Sequence, residues 1–282
     1  MDLPKIQALY GLKCNPFLPE VPIDALLIPP RVESFCFRLE SLVLDGGFAM
    51  ITGDPGMGKS VVLRILSDRL SKIRDLNVGV ITRPQSSMAD FYREIGAIFG
   101  QSWTGSNRWG SFRTLRERWH SHIESTLFRP VLLIDEAQEI PSTVLNELRL
   151  LASTSFDSRS ILTIVLSGDH RLSERFTGPD LLPLGSRIKT RYRAETATRE
   201  ELCAAIERRL MVCGNSTLMT DGLIQTVADH SAGNYRLLMQ TCEEILAYGS
   251  SRDVKQLDEK LFLELYQQQQ PRPRRGAATR RT

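Results

Sequence analysis

Two short stretches carry residues whose types and spacing can do chemistry on phosphate. The first is Gly53-Asp54-Pro55-Gly56-Met57-Gly58-Lys59-Ser60, followed by Val61, and it fits GxxxxGK[ST] without a mismatch. Glycines let the backbone curl until successive N–H groups point into one cup. A helix starting near Lys59 adds its positive end to that cup. Lys59 can reach the outer phosphates, and the Ser60 hydroxyl can hold a divalent cation. The second stretch is Val131-Leu132-Leu133-Ile134-Asp135-Glu136-Ala137-Gln138. Its apolar run delivers Asp135 to a strand end, where it can hold Mg²⁺ directly or through water. Glu136 is then set to polarise a water for attack on the terminal phosphate. The pair of stretches predicts binding of ATP with Mg²⁺, and hydrolysis.

Elements must exist that bring the two stretches together. Phe48-Ala49-Met50-Ile51-Thr52 is a short apolar run fit for a buried parallel strand, and a helical pattern follows the glycine loop. Strands are also predicted over 77–82, 131–135, 161–167 and 189–195, the last an edge strand polar on one side. Helices are predicted over 34–45, stopped by Gly46-Gly47, and over 88–99, capped by Ser86-Ser87. Further helices cover 111–126 and 142–153. Strands alternating with helices imply a parallel sheet covered on both faces. After residue 196 only helices remain: 199–212 with a Thr198–Glu201 capping box, one from Asp221, then 234–248 and 255–267. The fold class is therefore α/β, with a five-stranded parallel sheet and a small all-helical domain. Six prolines within residues 1–35 predict an irregular extended arm with one short helical turn. The boundaries expected are an arm over 1–35, an α/β domain over 36–195, a helical domain over 196–266 and an unstructured tail over 267–282.

Composition excludes several classes. At 282 residues, 41% hydrophobic and 24% charged, the chain reads as an ordinary globular protein. No apolar run is long enough for a membrane helix, and no secretory leader is visible. Five widely spaced cysteines without a CxxC fit reduced thiols and a cytoplasmic protein. The net charge of +3 is uneven: the last twelve residues hold Arg272, Arg274, Arg275, Arg280 and Arg281 and no acid, so the rest of the chain is net acidic.

Other positions offer roles beside the two stretches. Ser167 and Asp169, at the end of a central strand, are alternative sensors of the terminal phosphate. Arg187 precedes the last strand and is a candidate finger for the ATP of a neighbouring subunit. Arg236, at the start of a helix, is a candidate for folding back on the phosphates. In 101–119, Trp103, Trp109 and Trp119 interleave with Arg108, Arg113, Arg116 and Arg118. Arg108, Arg113 and the tail arginines are candidates for sequence-independent contact with duplex DNA.

The sequence resembles the AAA+ branch of P-loop ATPases that contains ExeA-type secretion ATPases and TnsC/TniB/MuB-type transposition regulators. The resemblance rests on Tyr10 to Phe17, Gly46 to Ser60, Leu132 to Gln138, Leu166 to Leu172, Ser186 to Ile188 and Ser231 to Arg236. It implies strand order 5-1-4-3-2, a helical lid and ATP sites shared between subunits of a ring or filament. It also implies that Arg187 is the finger and Arg236 the second sensor. Asp169 stands where such proteins often have glutamine. Length and the arginine tail favour the transposition side, with ATP-driven assembly on DNA and a transposase or integrase-type partner. The alternatives are a secretion-associated ATPase and an ATP-gated adaptor with negligible turnover.

Overall fold

The computed structural model describes residues 3–82, 84, 87–100, 108–126, 128–154 and 158–269. The chain divides into two compact units, residues 28–196 and residues 1–27 with 197–282.

The first unit is built on five parallel strands: β1 (Gly47–Gly53), β2 (Leu76–Ile81), β3 (Arg129–Ile134), β4 (Thr163–Gly168) and β5 (Ile188–Ala194). Their order across the sheet is β2-β3-β4-β1-β5, the order the resemblance implied. β4 is buried at every residue and β3 at all but its first. That is why both read as unbroken apolar runs. β5 lies at the edge, where one face is exposed, and its residues alternate accordingly.

Helices α2 (Pro30–Asp45), α3 (Lys59–Ser71), α4 (Met88–Ile98), α5 (Arg108–Thr126), α6 (Ser142–Ala152), α7 (His170–Arg175) and α8 (Leu182–Gly185) belong to this unit. Ser87 caps α4 by accepting from the Asp90 N–H, whereas Ser86 lies outside the described residues. Phe91, Ile95, Trp119, Leu132, Ile134, Leu145, Leu148, Leu166 and Ile188 are among the side chains of the sheet-side core. α2 starts at Pro30, four residues before the expected start, because proline is accommodated at the first helical position. A two-residue antiparallel ladder pairs Ser153–Thr154 with Arg159–Ser160.

The second unit holds α1 (Leu3–Tyr10), α9 (Arg199–Cys213), α10 (Asp221–His230), α11 (Tyr235–Ser251) and α12 (Glu259–Gln269). The Thr198–Glu201 capping box is present with both of its hydrogen bonds. The N-terminal residues do not form an extended arm. α1 buries Ile6 and Tyr10. The chain after it is tied to α9: Lys13 N–H donates to the Cys213 carbonyl at 2.8 Å, and buried Arg209 donates to Pro16 O at 2.9 Å. Pro4 did not break α1 because it lies in the first turn, where its missing N–H costs nothing.

Candidate active site

The glycine loop joins β1 to α3, as its motif required. Gly56 and Gly58 take positive φ, 86° and 87°, and Gly58 is the residue on which α3 begins. A side chain would be strained at either position, so the backbone curl is available only to glycine. Lys59 is buried, and its Nζ donates to the carbonyls of Gly53 at 2.8 Å and Asp54 at 3.0 Å. The ammonium is thus held across the mouth of the loop by Gly53, Asp54 and the intervening turn. Pro55 and Met57 lie within that turn, which the Met57 N–H to Asp54 O bond closes, and Val61 continues α3.

β3 lies two strands from β1, with β4 between them, so the C-terminal ends of all three open on one edge of the sheet. The Asp135 N–H extends the pairing by donating to Ile81 O. The carboxylate of Asp135 is the hub of the site. Oδ2 accepts from Ser60 Oγ at 2.9 Å, which joins the glycine-loop stretch to the acidic stretch across 75 residues. Oδ1 accepts from Ser167 Oγ at 2.9 Å and from the Glu136 N–H at 3.0 Å. Ser60 and Asp135 are therefore close enough to share one Mg²⁺, and hard oxygen donors suit that ion.

Glu136 follows in a left-handed conformation, φ 51°, uncommon for a residue with a side chain. It ends the strand and turns the chain into a single 3₁₀ turn, Ala137–Glu139. Such strain, on the order of 1–3 kcal/mol, persists where surrounding contacts enforce it.

The two sensor candidates separate. Ser167 is fully buried and bonded to Asp135, so it belongs to the cluster. Asp169 is instead the N-cap of α7: its Oδ1 accepts from the Arg171 N–H at 2.9 Å, and Oδ2 pairs with the Arg171 side chain. That partner holds the Asp169 carboxyl below its usual range. Gln138, the last residue of the acidic stretch, bridges Glu136 and the Asp169 backbone. The motif alone gives it no role, because its contacts span distant parts of the chain.

Arg187 is not at this edge. It precedes β5, whose Ile188 pairs with Phe48 while Ala194 pairs with Gly53. At about 3.3 Å per residue, Arg187 stands roughly 20 Å below the glycine loop, beyond the reach of an arginine side chain. Its guanidinium donates to Ser153 Oγ. There it lines a cleft of about 470 Å³ together with Arg159, Lys189, Ser153, Ser160 and Asp45.

Arg236 sits in the first turn of α11, in the second unit, where the Asn234 side chain caps the helix. Among the DNA candidates, Arg108 is paired with Glu147 and Arg113 with Glu117. Trp119 is core, whereas Trp109 is exposed and stacks on Phe112. Trp103 and Arg272, Arg274, Arg275, Arg280 and Arg281 lie outside the described residues. No helix among the described residues is long and apolar enough to cross a membrane.

Comparison with known proteins agrees with this geometry. Residues 43–176 match a family described as an AAA domain. The general secretion pathway protein A of Aeromonas hydrophila is 29% identical over 211 residues, which is 73% of this chain and 38% of that protein. The ATP-dependent target DNA activators B of the Escherichia phages Mu and D108 are each 28% identical, over 60% and 74% of this chain and 52% and 64% of theirs. The chain thus spans between about a third and two thirds of the length of these relatives. Among solved structures, Cdc6p from Pyrobaculum aerophilum superposes with a TM-score of 0.70 at 17% identity, covering 86% of this chain and 67% of that one. The Thermotoga maritima RuvB branch migration motor gives 0.57 at 15% identity, covering 89% and 72%. Both share the fold. The chain carries an AAA domain over residues 43–176, is a nucleotide-binding ATPase of the AAA+ type, and is similar to the secretion protein and the phage activators.

Proposed function

We propose that this ATPase assembles into a ring or filament on duplex DNA and regulates a transposase or integrase-type partner in the cytoplasm. The observation that carries the assembly is the position of Arg187. A cation roughly 20 Å from its own glycine loop can act on ATP only in a second copy. Arg159 and Lys189 line the same cleft, so that end of the subunit is suited to a triphosphate presented by a neighbour. Within one copy, Ser60 and Asp135 hold Mg²⁺, Lys59 neutralises the phosphates and Glu136 activates the water. Ser167 orients Asp135, and Arg236 is the helical unit's candidate for reading nucleotide state.

ATP orders the interface because Arg187 gains a phosphate partner, and hydrolysis removes that partner. The likeness to two ATP-dependent target DNA activators supports DNA as the template. The tail arginines suit backbone contact without base readout. A second reading, a secretion-associated ATPase, is favoured by the match to the secretion protein, 29% identical over 73% of this chain.

The test is steady-state ATP turnover with and without duplex DNA across salt, together with sedimentation. Lys59→Ala abolishes nucleotide retention and assembly. Glu136→Gln retains ATP, loses at least about a hundred-fold in turnover and traps the assembly. DNA stimulation that weakens with salt supports the DNA reading, and turnover indifferent to DNA counts for the second. Wild-type hydrolysis by Glu136→Gln refutes the catalytic assignment.

A further inference from the structure

The side chain of Gln138 is buried, and both ends of its amide are engaged. Nε2 donates to Oε2 of Glu136 at 2.5 Å, and Oε1 accepts from the backbone N–H of Asp169 at 3.3 Å. The Gln138 carbonyl accepts from Arg175 Nη1 at 2.7 Å, and the same guanidinium reaches Ser142 Oγ at 3.2 Å. Arg171 pairs with Glu139 at 2.8 Å. α7 is therefore fastened to the turn after β3 at several points, with Gln138 at the centre. Gly168 leaves room for the amide: a Cβ there would lie 2.5 Å from Gln138 Oε1 and 3.0 Å from Leu172.

We propose that Gln138 is a positioning residue for Glu136, and that it ties the orientation of that carboxylate to the end of β4. The proposal rests on the reading of Glu136 as the water-activating group. One oxygen of the carboxylate is fixed by the amide, which leaves the other to take the proton of the attacking water. Asp135 is attached to the same three-residue segment, through Ser167. The cation ligand and the base thus hang from the two ends of residues 167–169. A shift of that segment on contact with the terminal phosphate would realign both together. A carboxylate free to swing would lose the geometry on which its rate contribution depends.

The experiment uses the full chain, with kcat and KM for ATP and binding of a fluorescent ATP analogue. Gln138→Met keeps the volume and removes the donor. Its kcat falls about ten- to a hundred-fold, the loss typical of orienting partners. KM and analogue affinity change less than about two-fold, as for an interaction that acts in the transition state. Gln138→Glu replaces the donor with a second acceptor and lowers kcat at least as far. Gly168→Ala displaces the same amide from β4 and reproduces the loss, which keeps the test open if Gln138→Met does not fold. Wild-type kcat in Gln138→Met overturns the proposal. So does a fall in analogue affinity that matches the fall in turnover, the signature of a merely structural role. If Glu136→Gln turns over ATP normally, the reading of Glu136 fails. If Glu136→Gln is inactive while Gln138→Met is normal, only the present proposal fails.

Discussion

Replacing Arg108 with alanine should cost fold stability and leave DNA binding unchanged. Glu147 on α6 has a side chain only 2% exposed, and its carboxylate accepts from Tyr92 Oη and from the Arg108 fork, Nε at 3.0 Å. Burial and this carboxylate push the Tyr92 hydroxyl far above its ordinary value, so it serves only as a neutral donor. Without Arg108, a buried carboxylate keeps that one neutral partner among the described residues. Breaking a fully buried pair costs about 3–5 kcal/mol, and breaking an exposed one at most about 1. The Arg108 side chain is 61% exposed, so water can enter behind it and the cost settles near 2 kcal/mol. For a domain of this size that is a fall in Tm of about 4–8 °C, read by circular dichroism or calorimetry. In a Glu147→Gln background the same change should cost about 0.5 kcal/mol or less, because a neutral amide needs no counter-charge. A Tm within about 1 °C of wild type for Arg108→Ala would refute the reasoning. A reduced salt slope of DNA binding for that variant would show that Arg108 contacts phosphates after all.

Three further outcomes are expected. Asp169→Ala removes the α7 cap and costs about 1 kcal/mol, whereas Asp169→Asn keeps most of it; urea unfolding distinguishes them. Because Arg171 holds that carboxyl low, the margin of the wild-type chain over Asp169→Asn is present above about pH 4 and is lost as pH falls through the depressed value. Ser167→Ala removes a donor to Asp135 and should weaken Mg²⁺ about ten-fold or more in a metal titration of turnover, with ATP binding in the absence of metal unchanged. Deleting residues 271–282 should reduce the slope of log affinity for DNA against log salt by up to about 4.5, near 0.9 for each phosphate that the tail arginines neutralise. An unchanged slope would remove the tail from the DNA reading.

Local chemistry was legible and long-range chemistry was not. The glycine loop and the Asp135–Glu136 pair could be read because each needs its residues adjacent in sequence. The buried strands could be read because burial on both faces leaves only apolar side chains. Asp169 could have been identified as a cap, since an aspartate just before a helix is a known start signal. The Arg113–Glu117 pair was also visible, being four residues apart on one helix. By contrast, the Arg108–Glu147 pair and the Gln138 bridge join residues 39 and 31 positions apart. No spacing rule reaches that far. The N-terminal prolines misled because their cost depends on position within the turn, and the helix that α1 packs against, α11, comes more than two hundred residues later.

That last separation has a consequence for synthesis. Residues 1–27 complete a unit whose other members begin at Ala197. They leave the ribosome well before those members and must wait for α9 and α11. At roughly 5–20 residues per second, the delay is on the order of ten to thirty seconds. During that interval the apolar side chains of α1 have no native surface to cover, while the α/β unit can already close. Nascent chains stalled before residue 251 should therefore engage chaperones through their N-terminus.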